Sequence, residues 1–145
     1  MASEYKPNLG VIEITANTTL TRDAYAGRTI VLNSATGRTI TLPVSTGDGS
    51  TYTIAIGTTV TSGNHVIRVA TSAGIIQGVL SVSTDAAGVT IPTAADSDTI
   101  TMNGSTTGGL RGSIVELQDI AVGVWSVRGS LVSTGAEATP FSAAV

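Results

Sequence analysis

Apolar and polar residues alternate along this chain in short runs, and turn residues interrupt them every ten to fifteen positions. In Thr51 to Ile56, Tyr52, Ile54 and Ile56 alternate with Thr51, Thr53 and Ala55. That period of two places one set on a buried face and the other toward solvent. Strands are predicted on the same ground at Val11 to Thr15, His65 to Ala70, Ile75 to Val82 and Thr99 to Met102. Arg111 to Asp119 and Val122 to Val132 read as a closing hairpin around Ala121 to Gly123. Helical periodicity is almost absent. Only Thr21 to Tyr25 suggests a helical turn, with Thr21 as N-cap and Asp23 in the first turn. Asp85 to Ser97, with Pro92 inside it, reads as turn-rich.

A local echo stands out between Gly27 and Pro43. Gly27-Arg28-Thr29-Ile30-Val31-Leu32 returns ten residues later as Gly37-Arg38-Thr39-Ile40-Thr41-Leu42. The linker Asn33-Ser34-Ala35-Thr36 has turn chemistry, so two antiparallel strands facing one core are predicted. The period occurs once, which does not indicate a solenoid. The expected architecture is all-β, an antiparallel β-sandwich or barrel with an extended N-terminal arm. Residues 1 to 10 form the arm, 11 to 134 the β-domain and 135 to 145 a small-residue tail.

Length and composition narrow the function. A chain of 145 residues is one domain by size and buries about two-thirds of its unfolded surface, enough for a core without staples. It has no Cys, which excludes disulfides and thiolate metal sites. Charged residues are only 12%, the net charge is −3, and Lys6 is the only lysine. A sequence-independent grip on nucleic acid needs clustered cations, so no nucleic-acid partner is expected. No run approaches the roughly 18 apolar residues of a membrane helix, and Met1 to Gly10 has no apolar leader core. Synthesis in a cytosol and no membrane partner are therefore expected.

Candidate chemistry is sparse. His65, the single histidine, follows the turn Ser62-Gly63-Asn64 and reads as a turn-edge residue bonded to backbone, since no nucleophile is marked near it. Asp96-Ser97-Asp98 and Gly47-Asp48-Gly49 offer too few oxygens for Ca²⁺ and read as turns. Gly108-Gly109-Leu110-Arg111-Gly112 lacks the Lys-Ser/Thr of a phosphate loop and reads as a β connection. Glu116 and Asp119, three apart in a strand, point to opposite faces and make no catalytic pair. Thr39/Thr41, Thr51/Thr53 and Thr99/Thr101 each line one strand face, as solvent-facing β-formers or as an array that could bind ice or glycan. No catalytic residue, no metal site and no cofactor is expected. In the arm, Tyr5, Pro7 and Leu9 are spaced along an extended path and are the candidate contacts with a partner or a neighbouring subunit.

Several segments share a recurring pattern: Thr39-Ile40-Thr41-Leu42-Pro43, Gly63-Asn64-His65-Val66-Ile67, Gly108 to Gly112, Val124-Trp125-Ser126-Val127, and the ending Thr134-Gly135-Ala136-Glu137-Ala138-Thr139-Pro140-Phe141. Together, over roughly residues 26 to 141, they resemble small structural proteins of tailed bacteriophages, nearest to the head decoration, or capsid-stabilising, class. The resemblance implies a homotrimer seated at threefold and quasi-threefold positions. Its partner would be the major capsid protein and its location the virion surface, after assembly in the host cytoplasm. It also implies a mechanical role with no reaction. The alternative is a tail fibre or other virion surface module that binds host glycan.

Overall fold

The computed structural model describes residues 10–145. Among the described residues twelve strands build two sheets that pack face to face as an all-β sandwich. The strands are β1 (Ile12–Ile14), β2 (Thr18–Thr19), β3 (Thr29–Leu32), β4 (Thr39–Thr41), β5 (Thr51–Ile56) and β6 (His65–Arg68). They continue as β7 (Ile75–Ser83), β8 (Gly88–Pro92), β9 (Thr99–Met102), β10 (Ile114–Ala121), β11 (Val124–Val132) and β12 (Phe141–Ser142). One helical turn, α1 (Arg22–Tyr25), lies between β2 and β3. Thr21 precedes it with extended backbone, but its side chain makes no capping bond. The larger sheet has the order β1-β3-β5-β10-β11-β7-β8, and the smaller β12-β9-β6-β4-β2.

The first six strands alternate between the sheets. β1, β3 and β5 lie side by side in the larger one, and β2, β4 and β6 in the smaller. Each strand returns to its own sheet after a crossing to the other, so its neighbours there run parallel to it. This corrects two expectations. The sheets are mixed rather than antiparallel, and the segment Gly27 to Pro43 is not a hairpin. β3 pairs with β1 and β5, while β4 pairs with β2 and β6 on the opposite layer. The echo is the two halves of one coil. Ile30 and Leu32 face inward from one sheet, Ile40 and Leu42 from the other, and all four are fully buried. The expectation of a shared core therefore holds, although residues 12–68 wind in a coiled path that a single echo did not indicate.

The second half supplies the antiparallel part. β10 and β11 form the expected hairpin around residues 122–123 and seat β10 against β5. β11 also pairs in parallel with β7. Gly78 allows that approach. It has φ +148°, and a Cβ there would lie 2.1 Å from the Val127 carbonyl oxygen, a clash with backbone that cannot give way. β8, inside the segment read as turns, is an edge strand that Pro92 ends, a position where a missing N–H costs nothing. The tail adds β12 to the edge of the smaller sheet and buries Phe141 in the core. Trp125 and Tyr52, the largest fully buried side chains, meet edge to face at the centre, with ring centroids 5.6 Å apart.

Candidate functional site

Along β10 the alternation points Val115, Leu117 and Asp119 inward and Glu116 and Gln118 outward. Asp119 is thus a carboxylate in phase with the core, and it is fully buried. Three groups compensate its charge. The Thr46 N–H approaches Oδ2 at 2.8 Å, the Gly47 N–H donates to Oδ1 at 2.7 Å, and Arg22 Nη2 donates to Oδ2 at 2.7 Å. Charge-assisted bonds of this length are about twice as strong as neutral ones. Arg22 also donates through Nε to Asp48 Oδ2 at 2.7 Å and through Nη2 to the Val44 carbonyl at 2.6 Å. The bond to Asp119 holds the guanidinium above its usual pKa despite some burial, and Asp48 adds to the effect. Bonds from Ser50, then from Arg22, hold the Asp48 carboxyl below its usual range.

This network braces a loop. Residues 44–48 connect the smaller sheet to β5, and the N–H groups of Thr46 and Gly47 and the Val44 carbonyl are spent on Asp119 and Arg22. Thr46 also bridges to Val122 in the turn between β10 and β11. Between this loop, the turn and residues 69–74 lies a cleft of about 220 Å³, lined mainly by Pro43, Val44, Val69, Ala73, Val122 and Trp125. Val44 is 60% exposed and Val122 80% exposed at its rim, and Ile120 adds a third exposed apolar side chain at the end of β10. Exposed apolar groups on loops held by buried charge form a pre-organised surface, and pre-organisation lowers the cost of binding.

The residues singled out in the sequence fall elsewhere. His65 is fully buried, accepts the Arg38 N–H at Nδ1 (3.1 Å) and directs Nε2 at the Ser34 carbonyl (3.1 Å). It is a backbone-bonded structural histidine. Asp98 spends its carboxylate on the N–H groups of Ala144 (2.8 Å) and Val145 (3.2 Å) and on the Thr99 hydroxyl (2.7 Å), which pins the C-terminal segment. Burial alone would raise its pKa, but these bonds outweigh it and the net shift is downward. Asp96 is exposed and takes no part in this. Gly108 to Gly112 forms a β connection as expected, with Gly108, Gly109 and Gly112 at positive φ. Glu116 pairs with Arg128 on the outer face, opposite Asp119 as expected. Among the described residues no group of three or more His, Asp or Glu side chains is placed to hold a metal. Tyr5, Pro7 and Leu9 lie outside the described residues.

The Arg22–Asp119 network was not anticipated. Its signal is legible in retrospect: an aspartate two positions beyond Leu117, on the inward phase of a strand, requires a buried partner. Its partners Gly47 and Arg22 are 72 and 97 residues away, so the strand pattern could not name them.

The buried histidine sets a pH dependence. Burial pushes its pKa below the ordinary 6.5. The unfolded chain takes up this proton below about pH 6.5 and the folded chain resists it, so the stabilisation is complete above that pH and declines as pH falls. The melting temperature is expected to drop as pH falls below about 6.5, and His65→Gln should flatten that slope while lowering the plateau. Asp98 acts in a lower window, below its ordinary 3.8, because its folded pKa is depressed. An unchanged slope in His65→Gln would assign the transition to other groups.

No protein-family model matches this chain, and neither does any curated protein or solved structure. No helix among the described residues is long and apolar enough to cross a membrane.

Proposed function

We propose that this protein binds the outside of a phage capsid and stabilises the expanded head, as a homotrimer and without catalysing a reaction. The observation that supports this reading best is the braced apolar cleft. A mechanical clamp needs a surface that is apolar, shaped before contact and carried on a rigid body. The rim residues Val44 and Val122 on loops locked by Asp119 meet those needs. The sequence resemblance over residues 26 to 141 supplies the partner, the major capsid protein. Stabilisation then follows from mass action: a protein that binds the expanded shell better than other forms shifts the balance toward it. Closed threefold symmetry would also cover strand edges that carry few charges.

The test mixes purified protein with expanded, undecorated shells and challenges them with heat, chelator or osmotic shock. Decorated particles are expected to survive conditions that rupture bare ones. Val122→Asp places a charge on the cleft rim and is expected to weaken shell binding at least tenfold, about 1.4 kcal/mol, with the melting temperature of the free protein unchanged. Sedimentation with tails, or binding to host cells and not to shells, would replace this reading with the second one, a fibre or other surface module that recognises glycan. The hydroxyl-rich outer face of the smaller sheet is what favours that alternative.

A further inference from the structure

Arg68 lies on β6, the middle strand of the smaller sheet, and is exposed on the outer face. Its cross-strand neighbours are Thr41 on β4 and Thr99 on β9. Four of the other five arginines in this charge-poor chain have evident work, and the fifth, Arg111, is exposed in a turn outside both sheets. Arg22 holds Asp48 and Asp119, Arg128 holds Glu116, Arg28 donates to the Gly10 carbonyl and Arg38 to the Ser34 hydroxyl. Arg68 makes one long bond, from Nε to Thr41 Oγ1 at 3.4 Å. Among the described residues no carboxylate lies within ion-pair distance of it.

Beside it is a polar cleft of about 250 Å³, lined by Asn17, Thr18, Thr19, Thr39, Thr41 and Arg68. Its chemistry is one-sided. Asn17 Oδ1 is occupied by the Thr39 N–H at 2.9 Å, which leaves the amide NH₂ as the free end. Thr41 Oγ1 accepts from Arg68, which leaves its own O–H to donate. The cleft therefore offers one cation, an amide donor and hydroxyls, and its lining contains no acid. A single guanidinium offsets one unit of charge, and its fork matches a planar carboxylate. No aromatic side chain lines the cleft to stack on a sugar ring.

We propose that this cleft receives the carboxylate of an acidic side chain, Asp or Glu, from a partner protein, with Arg68 as its charge partner and Thr41 and Asn17 as further donors. The inference stands independently of the capsid reading, because it is tested on the free protein with small probes. Blocked glutamate, blocked glutamine and glucuronate are titrated while amide shifts are followed by NMR. Blocked glutamate is expected to move Thr39, Thr41 and Arg68 saturably, with half-saturation at about 50 mM, the strength of one exposed ion pair together with the hydrogen bonds from Thr41 and Asn17. Blocked glutamine should leave them in place. Arg68→Gln is expected to weaken the response about tenfold, and Arg68→Lys, which keeps the charge and loses the fork, to weaken it several-fold. Melting curves of both variants should match the parent, because the side chain is exposed. No saturable shift with blocked glutamate, or an equal shift with glutamine, would overturn the site. A stronger response to glucuronate than to glutamate would overturn the assignment to a protein partner and make the cleft a sugar-acid site.

Discussion

Replacing Trp125 with alanine is expected to cost about 4 kcal/mol and to lower the melting temperature by about 12 °C. Trp125 is the second residue of β11, between β10 and β7, opposite Asp119 and Ile76, and is 1% exposed. Truncation removes the largest side chain of the core. Tyr52 on β5 would lose the edge-to-face partner at 5.6 Å, a contact worth about 1 kcal/mol beyond its area. The surrounding strands cannot collapse into the space, because their backbones are fixed by ladders on both sides of β11. Trp125→Phe keeps a ring against Tyr52 and should lose less than half as much. Urea unfolding measures both values, and a loss below about 1.5 kcal/mol for the alanine variant would show that the core repacks around the void. Trp125 also lines the apolar cleft, so under the proposed capsid role the alanine variant should lose shell binding as well, and Val122→Asp separates the two effects.

Asp119→Ala is the second large effect. It strips the Thr46 and Gly47 N–H groups of their acceptor and leaves Arg22 facing a vacated polar pocket. Breaking a buried pair from one side costs about 3–5 kcal/mol. Arg22 is 30% exposed, and water screens part of that loss, so about 3 kcal/mol is the expected value. Asp119→Asn keeps the volume and one acceptor oxygen and should fall between parent and alanine. Arg22→Ala should then cost less in the Asp119→Ala background than in the parent, because the Asp119 contact is already gone and only the bonds to Asp48, Thr46 and the Val44 carbonyl remain to be lost. Full additivity of the two would sink the claim that they act as one unit. The loop at residues 44–48 should also become the first site of proteolytic cleavage in Asp119→Ala, since its anchors are gone.

Much of the strand content could be read from the chain alone, and the reason is local. In Thr51 to Ile56 each side chain's face follows from the pleat, so Tyr52, Ile54 and Ile56 were placed inward without knowledge of any neighbour. The same holds for the closing hairpin, where both strands and their turn are adjacent in sequence. The backbone-bonded role of His65 and the outward face of Glu116 are likewise legible in the chain, because turn position and strand phase are also local properties. Strand partners are a different matter. Alternation shows that Thr29–Leu32 and Thr39–Thr41 are strands with one buried face each, but any strand of matching phase satisfies that pattern. The choice of β5 and β6 over each other was made by packing two inner faces into one core, with Gly37 pressed against Asn64 and the Arg38 N–H bonded to His65. The cleft has the same origin. Val44, Val69, Val122 and Trp125 carry no common motif, and only the sandwich, with Asp119 drawing the 44–48 loop down onto the β10–β11 turn, brings them together. Sequence determined which residues face inward; long-range hydrogen bonds and shared burial, which no local pattern encodes, decided which of them meet.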